Sequence, residues 1–161
     1  MGASARRIKK VLDRLPVPDP WDRTRFVAAV AAARGRPITL IPMAMHDVID
    51  SPCGLWLVRE DDDVIIHEDA TSEYHIDQIV CHEIGHMVLG HDRETPGGGC
   101  DSTLGAVLPD IDPDTVHAVL GRSGYGSGPE REAELFASMV MVSATAGRRG
   151  QSLRNVLFEG R

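Results

Sequence analysis

The chain has 161 residues, 42% of them hydrophobic and 25% charged, with 24 acidic against 17 basic side chains for a net charge of −7. That is room for one domain with a sizeable core in an ordinary globular composition. The negative balance argues against non-specific binding to nucleic acid or to anionic membrane surfaces. No apolar run reaches the roughly 18 residues of a membrane span, and Pro16, Pro18, Asp19 and Pro20 follow the basic N-terminal residues where a signal peptide would be apolar.

In chain order, residues 4–15 read as a short basic helix ended by the proline cluster. Its Arg6, Arg7, Lys9, Lys10 and Arg14, like Arg148, Arg149, Arg154 and Arg161 at the other end, read as solvated helix faces. A second helix is predicted over Arg23–Arg34, capped by Asp22 or Asp19 and closed by Gly35. Ile38–Ile41 looks like a first strand. Gly54–Arg59 and Val64–His67, joined by the acidic turn 60–63, form a hairpin. In this reading Val64–His67 is an edge strand able to pair with an extended peptide substrate. Ser72 precedes a helix from about Tyr74 to Gly90, apolar on nearly all sides and therefore central and buried.

Residues 92–128 read as a loop-rich insert broken at Thr95–Gly99, with a short helix at Thr115–Leu120. Its glycine-rich end, Gly121–Gly128, fits a mobile lid better than a phosphate loop. A strong helix begins near Pro129, and a short one is predicted over Ser152–Phe158. Helices, a small mainly antiparallel sheet and helices again indicate an α+β fold in one domain spanning residues 1–161, of which 1–35 are the N-terminal helical segment.

The chemistry concentrates in His82-Glu83-Ile84-Gly85-His86. Histidines at i and i+4 lie about 40° apart on a helix, so their imidazoles converge on one Zn²⁺. Glu83 falls about 60° from His86, beside the metal, where a general base must sit to take a proton from metal-activated water. A catalytic zinc takes a third protein ligand. His91 is rotated away from the His82–His86 face, and Asp92 lacks the glycine that a metzincin turn needs three residues earlier. Glu130, Glu132 and Glu134 remain. Glu132 shares a helix face with Leu135, Phe136 and Met139, and a carboxylate in such a stripe needs a partner. It is therefore the expected ligand, with Glu130 and Glu134 solvated at the helix N-terminus.

The run His82 to His91, followed by Glu130-Arg131-Glu132-Ala133-Glu134-Leu135-Phe136-Ala137, resembles the ImmA/IrrE family of metallo-endopeptidases. That family pairs HExxH with a downstream E-x-E-A-(N/D/E)-x-F-A helix, and with the preceding hairpin the resemblance covers roughly residues 36–143. It implies a gluzincin-like zincin fold, a central HExxH helix under the sheet, Glu132 as third ligand and Glu83 as base. It also implies a protein substrate such as a helix-turn-helix regulator, and a toxin–antitoxin or mobile-element setting. The chain departs from the pattern in its long gap between His86 and Glu132 and in Glu134, where the family usually has Asn.

The expectation is a cytoplasmic zinc endopeptidase of narrow specificity, with no nucleic-acid or membrane partner. The alternative is a metal-stabilised regulatory module that binds its partner without turnover. A His₂Glu set also suits manganese or iron. Three cysteines (Cys53, Cys81, Cys100) without CxxC spacing indicate neither a disulfide framework nor a cysteine zinc knuckle, and fit a reduced compartment. Cys81 reads as an inert buried thiol. Tyr125, His117, His75 and His67 are candidate donors to a developing oxyanion.

Overall fold

A computed structural model describes residues 2–45, 54–93, 108–120 and 126–158. Two short helices come first, α1 (Ala3–Leu12) and α2 (Arg23–Arg34). Asp22 caps α2 by accepting from the Arg25 amide at 2.9 Å, and Gly35, at φ +66°, ends it in the left-handed conformation glycine tolerates. Strand β1 (Ile38–Met43) follows, then the hairpin of β2 (Gly54–Arg59) and β3 (Asp63–Glu68). The long helix α3 (Glu73–Leu89) comes next, then β4 (Val116–Leu120) and α4 (Ser127–Phe158). Among the described residues this is an α+β fold of four helices and one four-stranded sheet.

The sheet order is β1-β3-β2-β4, with β1 parallel to β3 and the other pairs antiparallel. It is thus a mixed sheet. Strand β3 lies inside it, so the expected edge at Val64–His67 is corrected: the edges are β1 and β4. All six residues of β3 are buried, as a strand covered on both faces requires. Side chains alternate between two cores. Trp56 and Ile65 pack with α2 and α3 through Phe26, Val80 and Ile84. Leu55, Leu57, Val64 and Ile66 pack on the opposite side with Met45, Leu108, Ile111 and Val116.

Two further expectations change. Thr115–Leu120 is a strand after a 3₁₀ turn at Pro113–Thr115, because Val116–Leu120 finds the free side of β2, with Trp56 opposite Leu120. Ser152–Phe158 continues α4. Asp63, fully buried, ties the layers together. It accepts from Trp56 Nε1 at 3.0 Å, from Arg34 of α2 at 2.9 Å and from Arg36, which leads into β1, at 3.4 Å. No described helix is long and apolar enough to cross a membrane.

Candidate metal centre

The site is built where α3 and α4 meet. Ser72 starts α3 by accepting from the His75 amide at 3.2 Å, and Gly90, at φ +74°, stops it. The two helices approach through small residues. A Cβ on Gly85 would lie 3.1 Å from Ala133 Cα and 3.2 Å from its carbonyl oxygen, tight enough that a side chain there would press on the facing backbone. The buried face of α4 is Ala133, Phe136, Ala137, Val140, Met141 and Ala144, a stripe at helical period. Extended back one turn, that stripe reaches Glu130.

His82, His86 and Glu130 form the one group among the described residues whose ligand atoms, all within 4.8 Å of one another, can hold a metal ion. The two Nε2 atoms are 3.1 Å apart. Glu130 sits astride them, Oε1 at 3.1 Å from His82 Nε2 and Oε2 at 3.5 Å from His86 Nε2. Two bonds of about 2.0–2.1 Å at a tetrahedral zinc place their ligand atoms roughly 3.3 Å apart, so the donor set fits such an ion. Glu132, the expected third ligand, is elsewhere. Its Oε2 accepts from Arg7 of α1 at 3.0 Å and lies 3.2 Å from His91 Nε2. Large side chains misled the face assignment: Leu135 is exposed, whereas Ala133 and Ala137 mark the side turned to α3. Those alanines, with Ala133 opposite Gly85, are the signal in the sequence that points to Glu130.

The electrostatics favour a neutral, lone-pair-bearing imidazole at His86. Burial, with His82 and His91 adjoining, pushes His86 down to about 2. For Glu132, burial opposes ionisation. Hydrogen bonds from Ser4 and His91 and the charge of Arg7 outweigh it, holding the carboxyl below its usual range. Burial raises the Cys81 thiol far above the usual thiol range, as an inert core cysteine requires. Glu83 is 5% exposed. A Cβ on Gly54, at the start of β2, would stand 2.8 Å from its Oε1 and 2.7 Å from Ile79 Cγ2, so a bare backbone walls in the carboxylate. Sequence reading took Gly54 only as a strand end.

Of the other candidates, His67 pairs with Gly54 across the hairpin, buried, its Nδ1 on the Glu68 carbonyl at 3.0 Å. His75 contacts Thr71 at 3.0 Å, and His117 is exposed on β4. Asp92 lies in the 3₁₀ turn after α3, outside the ligand group, as does His91. Tyr125, most of the glycine-rich segment, the Thr95–Gly99 break, Cys53 and Cys100 lie outside the described residues. No protein-family model matches this chain, and neither a curated protein nor a solved structure does.

Proposed function

We propose that the protein is a zinc-dependent endopeptidase of narrow specificity, with His82, His86 and Glu130 holding the metal and Glu83 as general base. The observation that carries this reading is the convergence of two imidazole Nε2 atoms, from the helix turn that carries Glu83, with one carboxylate of α4. Three protein donors and, among the described residues, no fourth is the pattern of a catalytic site, since structural zinc is usually closed by four. A bound zinc supplies a Lewis acid that polarises the scissile carbonyl and lowers the pKa of water near it. Glu83 takes the proton from the attacking water and returns it to the leaving amine. The close approach of the Gly54 backbone limits the space open to the carboxylate. The ImmA/IrrE resemblance supports the same reaction and suggests a regulatory protein as substrate.

The test compares wild type with Glu83→Gln, each loaded with equal zinc, on a peptide library and on candidate regulators. Cleavage by wild type, reduced about 10²- to 10⁴-fold in the variant, is expected for a lost general base. A wild-type protein that binds a partner without cleaving it overturns the peptidase reading in favour of a binding module.

A further inference from the structure

His91 is fully buried, yet it is neither a ligand nor part of the apolar core cluster. Gly90 puts it there: the left-handed turn that ends α3 folds the next residue back beneath the last helical turn. Its ring stands 5.0 Å from that of His86, at 70° to it. Nδ1 of each ring faces the other at 2.9 Å, and His91 Nε2 faces Glu132 Oε2 at 3.2 Å.

With both imidazoles neutral, the order of protons along this row follows because a carboxylate only accepts. Glu132 therefore requires the hydrogen on His91 Nε2. A neutral His91 then presents a bare Nδ1, which makes His86 Nδ1 the donor. The His86 hydrogen is thereby assigned to Nδ1, and its Nε2 lone pair is left facing His82 and Glu130. Arg7 anchors the far end. Its Nη1 reaches the same Glu132 oxygen at 3.0 Å while Nη2 donates to the Leu89 carbonyl at 2.5 Å, so α1, the end of α3 and α4 are held together.

We propose that His91 and Glu132 are positioning residues that fix His86 in its metal-binding tautomer through a carboxylate–imidazole–imidazole row. The inference rests on the metal site proposed above and adds to it the group that makes one ligand ready before metal arrives. An outer hydrogen-bond partner of a ligating histidine fixes tautomer and ring orientation, and its loss costs about 10- to 100-fold in metal affinity. Here the partner is a second histidine, so the orienting carboxylate acts at one remove.

The experiment has two readouts. The first is the ring ¹⁵N spectrum of the metal-free protein. Wild type should show His86 with hydrogen on Nδ1 alone, whereas His91→Phe, which keeps a ring of similar size but no acceptor, should show a mixture of tautomers. The second is zinc affinity by competition with a chelator. His91→Phe should lose about 10- to 100-fold, and His91→Asn, smaller but with an acceptor oxygen for His86, should recover most of it. A packing role predicts the opposite order, with Phe close to wild type and Asn worse. Glu132→Gln, whose amide also donates, should release the tautomer too, and its partly exposed side chain serves if a His91 variant fails to fold. Hydrogen on His86 Nε2 in the wild type, or undiminished zinc affinity in both His91→Phe and Glu132→Gln, overturns the proposal. The tautomer readout needs no metal, so a protein that binds no zinc refutes the metal site separately from the row.

Discussion

Glu130 and Glu132 are two residues apart and do different work, because two steps along an α-helix turn a side chain by roughly 200°. Measured from the centre of the buried stripe of α4, Glu130 lies about 50° to one side and Glu132 about 110° to the other. The first therefore meets the imidazoles of α3, and the second meets Arg7 of α1 and His91. Both are acidic, both adjoin a histidine, and only their direction separates the proposed ligand from its proposed support. Replacing each by alanine distinguishes the roles. Glu130→Ala should leave the protein without bound zinc after dialysis. Glu132→Ala should still reach one zinc per chain at saturating metal, with affinity lower by about 10- to 100-fold. Metal analysis alongside chelator competition checks this, and full zinc retention by Glu130→Ala would return the third ligand to another residue.

At the scale of elements, the α3–α4 contact sets the geometry of the site. Gly85 and Ala133 bring the two backbones close together, and Glu130 sits one turn before Ala133. A Cβ at position 85 also meets Phe136 at 3.2 Å, and backbone at 3.1–3.2 Å does not yield as the tip of a flexible chain would. Gly85→Val should therefore lower stability by about 1–3 kcal/mol through overpacking. It should also weaken zinc binding by pushing Glu130 away from His82 and His86. Urea denaturation and metal titration on one variant check both; a fall in stability with unchanged zinc affinity would show that the site tolerates a wider helix spacing.

The elements that sequence reading found are those with local signals: the Asp22 and Ser72 caps, the Gly35 and Gly90 stops, the acidic hairpin turn. What it missed depends on partners distant in sequence. The segment Val116–Leu120 is short enough to suit a helix or a strand, and only the unpaired side of β2 decides it. Strand β3 read as an edge because β1, its parallel neighbour, joins it from across a crossover that no turn residue announces. His91 was set aside as a ligand by its angle on an extended helix, and among the described residues it lies outside the group that could hold a metal ion. Its actual place behind His86 required the reversal at Gly90.

Across the whole molecule, the proposed metal ligands come from two helices that pack together through apolar side chains. Phe136, Ala137 and Val140 of α4 share a buried cluster with Val80, Ile84 and Met87 of α3, and each large apolar side chain buried there contributes about 1.5–3 kcal/mol. Asp63 binds the sheet to α2 independently of the site. The fold is therefore expected not to depend on the ion, unlike small zinc domains that unfold when it is removed. Chelation should leave the far-ultraviolet circular dichroism essentially unchanged. Zinc should nevertheless stabilise the native state by linkage, by about 2.7 kcal/mol at 100 times its dissociation constant and about 4.1 kcal/mol at 1,000 times. A denaturation midpoint that climbs with zinc concentration in wild type, and does not in Glu130→Ala, would attribute that gain to the α3–α4 site. A chelated protein that loses its helical signal would mean instead that the ion holds the two helices together.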